Sequence, residues 1–286
     1  MIHPLTDIPI TDSHVHLWDP QQLEYPWLQE FPYIHRRYTM ADYRQATEGV
    51  NVSSVVFVQA ACRPDQYLRE IDFVMQQAQT DERIRGIVAY APLEQGRSVR
   101  NVFTLLAANP LVKGIRRMYD DDPSLCCSSA YLDAVQLLPE YGWSLDISAK
   151  PASLPATAKM TAACPDTVFI LDHLGKPDIK GNGLDAFKRN IDQLAAFPNV
   201  YAKLSGLITE ADPIHWTPTL LAPYINHAIS CFGYERLLFG SDWPVVLLAG
   251  TYHQWLDALL TVLTNTGTRK ELAGLFHENA QRIYRL

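Results

Sequence analysis

Residues 167–176 read TVFILDHLGK, an apolar run of strand-forming residues that turns polar at its end. Short runs of this kind, bounded by turn residues, read as β-strands. Eight of them occur: residues 9–18, 53–60, 84–93, 112–119, 143–150, 167–176, 200–207 and 236–245. Their starts lie roughly 25 to 45 residues apart, the span of a strand plus a crossover helix.

The intervening segments carry helical periodicity. In GLDAFKRNIDQLAAF, Leu184, Phe187, Ile191 and Leu194 form one apolar stripe. In DQYLREIDFVMQQA, Leu68, Ile71, Val74, Met75 and Ala78 do the same, with Pro64 near the start, where proline is tolerated. SAYLDAVQLL offers Leu132, Val135 and Leu138 before Pro139 interrupts it, and Thr39 is placed to cap a helix in TMADYRQA. Eight alternations of strand and helix predict an α/β fold, a (β/α)8 TIM barrel closed as a single domain over residues 1–286. Residues 251–286 read as two helices that close the last repeat, with NTGT (265–268) as the turn between them.

Composition narrows the function. The chain has 286 residues, 48% hydrophobic and 19% charged, a globular balance. Its formal charge of −7 argues against nucleic acid or an anionic membrane surface as partner. Five cysteines, odd in number and without C-x-x-C spacing, suggest neither a disulfide framework nor a zinc knuckle and fit a reducing cytoplasm. No signal segment and no membrane span is expected, which leaves a small-molecule substrate as the default partner; self-association into a homo-oligomer stays open.

In such a barrel, chemistry collects at the C-terminal ends of the strands. Polar residues gather there: His14 and His16, Gln59, Arg116 and Arg117, Asp146, Ser148 and Lys150, Asp172 and His173, Lys203 and Ser205, then Ser241 and Asp242. His14 and His16 stand two apart, so on an extended chain both imidazoles face one side. Of the adjacent Arg116 and Arg117 only one can face the interior, and Arg116 is favoured. Lys203 is either a substrate group or a solvated end. Asp172 directly precedes His173, which directs it away from that histidine and toward a structural salt bridge. The other histidines, His227 and His277 among them, read as surface or capping residues.

Taken together, DSHVHLWDP, LDHLGKP, KLSG and FGSDWPV, in that order, resemble the amidohydrolase superfamily of (β/α)8 hydrolases. The likeness is strongest to its sugar-lactone and pyrone-dicarboxylate lactonases, and YPWL (25–28) resembles those acting on fuconate- and rhamnonate-type lactones. The resemblance implies a metal set of His14, His16, His173 and Asp242 and a fourth-strand arginine at Arg116. Strands four and five read GIRRMY and LDISAK, without the bridging carboxylate or lysine and the histidine of two-metal relatives. It therefore implies at most one divalent ion, Zn2+ first, and also allows catalysis without a tightly held metal.

The chemistry so implied is lactone hydrolysis, with Asp242 as general base and His173 and Arg116 stabilising the oxyanion. Trp27, Gln59, Arg116 and Lys203 are the candidate substrate-binding groups, and Trp18, Tyr25 and Trp243 are further aromatics that could close over a sugar ring. A dicarboxylate lactone would call for more arginines, because their forks match carboxylates. A metal-dependent decarboxylase and a silent sugar-acid binding protein are the remaining alternatives.

Overall fold

The structure, a computed structural model, describes residues 8–119, 122–264 and 266–286. Eight parallel strands follow one another in sequence order: β1 (Ile10–Val15), β2 (Val52–Val58), β3 (Ile84–Ala89), β4 (Val112–Arg116), β5 (Ser144–Ile147), β6 (Phe169–Leu171), β7 (Val200–Leu204) and β8 (Leu237–Phe239). The ends of the sheet meet in a parallel bridge between Val15 and Trp243, so the barrel is nearly closed. All eight segments read from the sequence overlap an observed strand, β2 starting one residue earlier than read, but β6 and β8 have only three residues each, because their polar halves leave the ladder.

Among the described residues the helices are α1 (Met40–Ala46), α2 (Tyr67–Thr80), α3 (Arg100–Ala107), α4 (Ser129–Val135), α5 (Leu138–Tyr141), α6 (Leu154–Ala163), α7 (Leu184–Ala195), α8 (Pro218–Phe232), α9 (Tyr252–Leu263), α10 (Arg269–Ala273) and α11 (Asn279–Tyr284). Thr39 does begin α1, its backbone N–H donating to Asp42 at 2.9 Å. Pro139 ends one helix by opening the next, at the first turn of α5, where a missing N–H costs nothing. Leu68 departs from its expected stripe: it is 43% exposed, while Ile71, Phe73 and Val74 turn inward with Glu70. In the expected NTGT turn, Asn265 lies outside the described residues.

The interior is layered. Val56, Val58, Val88, Ile170 and Leu238 fill the barrel, and α11 plugs its lower end with Ala280 and Tyr284. Gln281 fastens that plug to the start of the barrel, donating to Thr11 and Ser54. A second, larger apolar core lies between strands and helices. No helix of the described residues is long and apolar enough to cross a membrane.

Candidate active site

Above the apolar layer the barrel becomes ionic. Lys203, on β7, is fully buried between two carboxylates, its Nζ 2.6 Å from Asp146 Oδ2 and 2.9 Å from Asp172 Oδ1. Arg116, at the end of β4, places Nη1 3.1 Å from Asp172 Oδ2 and donates through Nη2 to the carbonyl of Gln59. Tyr284 reaches up from the plug and donates to Asp146 at 2.6 Å. Two cations thus face two anions where water is excluded, and each is paired, as burial of charge demands. Burial works to push the Asp172 carboxyl up, but Lys203, His14 and Arg116 outweigh it and hold it well below the usual carboxylate range.

On this layer rests a cluster of three imidazoles and one carboxylate. His14 and His16 converge as their spacing predicts, Nε2 to Nε2 at 3.1 Å. Backbone bonds from Asp242 N to His14 O (2.9 Å) and from His16 N to Trp243 O (2.7 Å) stitch the chain beyond β8 onto β1. Asp242 Oδ1 then lies 3.4 Å from His16 Nε2, 3.6 Å from His14 Nε2 and 3.8 Å from His173 Nε2. His173 shares a 2.9 Å hydrogen bond, Nδ1 to Ser205 Oγ.

Two backbone features make this approach feasible. Asp242 (φ 58°) and His173 (φ 54°) both adopt the left-handed conformation, a departure from strand geometry that concentrates at functional sites. Gly206, also left-handed at φ +62°, lies where a Cβ would come within 2.5 Å of His173 Nδ1. Its lack of a side chain is what lets the loop after β7 pass under the imidazole.

Burial pushes the His173 imidazole down to about 4, and it lowers His14 and His16 as well. Burial opposes ionisation of Asp242, but His173, His16 and His14 together hold its carboxyl below the usual range. At neutral pH the cluster is therefore three neutral imidazoles around one carboxylate.

That is the protonation state a divalent cation requires of its ligands. His14 Nε2, His16 Nε2 and Asp242 Oδ1 lie close enough together to serve one ion. The tautomers agree. His16 Nδ1 lies 2.7 Å from the Val58 carbonyl, which only accepts, so Nδ1 carries the proton and Nε2 presents a lone pair. His14 has a partner for either tautomer: Lys203 Nζ donates to an unprotonated Nδ1 at 3.2 Å, and Asp172 Oδ1, buried without a well-directed hydrogen bond, lies 3.2 Å away to receive a proton from it. The second arrangement is the carboxylate–imidazole support typical of metal-ligating histidines. The residues fit a single zinc-like ion.

A cavity of about 820 Å³ opens above the cluster, bordered by His16, Arg116, His173, Asp242, Trp27 and Lys176. Trp27 is fixed by a 2.8 Å bond from Nε1 to the Ala60 carbonyl. The structure thus brings His14, His16, His173, Asp242 and Arg116 together, with Trp27 at the rim. Lys203 does not join the substrate side: it is fully buried among carboxylates beneath His14. Gln59, 2% exposed, also turns away and accepts from Ala61 N at 2.6 Å. Trp18, Tyr25 and Trp243 are packed in the core rather than over the cavity. Arg117 turns away from the barrel interior to pair with Glu94, as expected of the neighbour of Arg116, while still bordering the cavity.

Asp172 corrects a sequence-based expectation. It does form salt bridges, but inside the barrel, because it follows Ile170 inward by strand alternation, and it is the left-handed His173 that breaks the alternation and brings its own side chain inward as well. Sequence reasoning also missed Asp12, which accepts from Ser241 N, His14 N and Tyr43 Oη at the base of the cluster. Its position two residues before His14, on the same strand, was the available signal.

An eight-stranded barrel with a His-x-His pair, a sixth-strand histidine and an eighth-strand aspartate at its mouth defines a class of hydrolytic enzymes. The amidohydrolase family profile matches residues 11–286, and the chain belongs to that family. An L-fucono-1,5-lactonase from Burkholderia ambifaria is 30% identical over 86% of this chain and 84% of its own length. An L-rhamnono-gamma-lactonase from Scheffersomyces stipitis is 25% identical, covering 71% of this chain and 69% of its own. The crystal structure of an amidohydrolase from Burkholderia multivorans with bound zinc superposes with a TM-score of 0.88 at 26% identity, over 97% of this chain and 99% of that one.

Proposed function

We propose that this enzyme hydrolyses the lactone ring of a sugar aldonolactone of the L-fucono-, L-rhamnono- or L-galactono- type. The observation that carries the reading is the convergence of His14, His16 and His173 on Asp242 Oδ1, within 3.4–3.8 Å, at the floor of the cavity beside Arg116. Its relatives named as sugar lactonases support the substrate class.

His14, His16 and Asp242, with His173 beside them, would hold one divalent ion, Zn2+ by its donor preference, which when bound supplies Lewis-acid polarisation and acidified water. Asp242 accepts the proton of the attacking water and returns it to the ring oxygen as the ester bond breaks. His173 and Arg116 stabilise the charge that develops on the carbonyl oxygen, and each such preorganised donor is worth about 3 kcal/mol. Arg116 is held for this by Asp172 and the Gln59 carbonyl. Trp27 offers its indole to the apolar face of the sugar ring.

The charge of the cavity favours a neutral substrate over a dicarboxylate. Four cations (Arg116, Arg117, Lys150, Lys176) line it against four anions (Glu30, Asp122, Glu210, Asp242), and both arginines already pair with carboxylates. A pH-indicator screen of aldonolactones, with and without a chelator, tests the proposal. Saturable turnover of a neutral aldonolactone, abolished by chelation and restored by zinc, is the expected result. Carbon dioxide release from hydroxybenzoates, or turnover confined to dicarboxylate lactones, would overturn it.

A further inference from the structure

At the end of the barrel remote from the mouth, the C-terminal ends of α7 and α8 converge on a second donor cluster. His227 and Cys231 stand at i and i+4 in the last two turns of α8, on one face of the helix, and Asp192 lies in the last turn of α7. The three donor atoms form a tight triangle. His227 Nε2 is 2.9 Å from Asp192 Oδ1, Cys231 Sγ is 3.2 Å from the same oxygen, and Sγ is 3.4 Å from Nε2.

We propose that Asp192, His227 and Cys231 bind one thiophilic divalent cation of the zinc type, which ties α7 to α8 at a site separate from the catalytic cluster. The distances support this. Tetrahedral zinc with bonds of about 2.0–2.3 Å to nitrogen, oxygen and sulfur separates its ligand atoms by about 3.3–3.6 Å. The observed triangle reaches that size if each atom moves outward by a few tenths of an ångström.

Electrostatics point the same way. Asp192 and Cys231 lie in the last turns of their helices, where the partial negative charge of the helix end favours a cation. Carboxylate and thiolate together supply two negative charges, so a divalent ion is neutralised in place. As the sulfur–metal bond forms, the Cys231 thiol gives its proton to solvent, and the hydrogen bonds within the triangle are exchanged for metal bonds. A mixed imidazole, thiolate and carboxylate set selects zinc or cobalt over calcium or magnesium. Asp192 is 60% exposed and His227 18%, which leaves water room to complete the coordination, while the His227 ring is steadied against Phe187 with centroids 6.0 Å apart.

Cobalt(II), titrated into the metal-stripped full-length protein, separates this site from the mouth, because the catalytic cluster contains no sulfur donor. The wild type is expected to develop a thiolate-to-cobalt charge-transfer band in the near ultraviolet. Cys231→Ser should abolish the band and weaken zinc retention at this site by at least about tenfold, and His227→Ala should reduce both. Equilibrium dialysis should find one zinc more on the wild type than on Cys231→Ser. Absence of the band from the wild type would overturn the proposal. So would an undiminished band in Cys231→Ser, which would place the sulfur ligand at another thiol such as Cys126 or Cys127, whose Sγ atoms lie 3.9 Å apart. Neither readout depends on catalysis.

Discussion

Lys203 and Asp172 meet Nζ to Oδ1 at 2.9 Å, both fully buried, in the layer that carries His14. Removing one member of such a pair leaves an uncompensated charge in a dry interior, at a cost of about 3–5 kcal/mol. Lys203→Met should therefore lower the denaturant midpoint sharply. Adding Asp146→Asn should recover part of the loss, because that carboxylate loses its cation with Lys203, whereas Asp172 keeps Arg116. A Lys203→Met protein within about 1 kcal/mol of wild type would show that the pair does not hold up the site.

The barrel was legible because its strands announce themselves individually. TVFIL and RLLF carry the apolar run, and the polar residues cluster at one end of each. His14 and His16 were legible for the same reason, since both belong to an extended chain on which position fixes direction. Asp172 was not, because alternation directs it outward if His173 is taken to face inward, and only the left-handed turn at His173 lets both face in. Lys203 and Gln59 were misplaced for a different reason. Sequence says which residues end a strand but not how deep in the barrel they stop, and depth decides whether a polar group meets substrate or another charge. The Asp192, His227 and Cys231 triangle lay beyond sequence reasoning because it depends on how α7 packs against α8.

Asp242→Asn preserves the size of the side chain and removes its charge and basicity. Turnover of the preferred lactone should fall by about a thousandfold, the scale of a lost general base, with little change in melting temperature. Near-normal turnover in this variant would remove Asp242 from the reaction. Asp242 is also among the donors of the candidate metal site, so metal content must be measured alongside: a variant that retains zinc and loses turnover isolates the proton transfer.

Gly206→Ala tests the packing beneath His173. The new methyl would lie 2.5 Å from His173 Nδ1 and 3.2 Å from Asp242 Oδ2, at a backbone φ of +62°. The imidazole must shift, and a displacement of about 1 Å in a catalytic group can cost about a hundredfold in rate. Gly49→Ala is the control: φ there is +78°, but nothing lies within 4 Å of the added methyl. Both variants should lose about 1–2 kcal/mol to backbone strain, and Gly206→Ala alone should lose turnover. Equal activity in the two would mean that His173 does not depend on that gap.

Glu70 supplies the pH dependence. It is buried behind the cavity wall, where its carboxylate accepts from Ala60 N at 3.0 Å, and burial pushes its carboxyl up from 4.5 to about 7. The folded chain therefore holds this proton more tightly than the unfolded chain does. Stability is undiminished below the unfolded value, declines as pH rises through the interval up to about 7, and is constant above it. The full loss over that interval is about 3 kcal/mol. Glu70→Gln keeps an acceptor for Ala60 N–H and cannot titrate. Denaturation midpoints at about pH 5 and about pH 8 should show wild type losing more stability across the interval than the variant, since contributions from all other groups cancel in the difference. A difference that stays flat between the two pH values would mean that Glu70 is already ionised in the folded protein at the lower one.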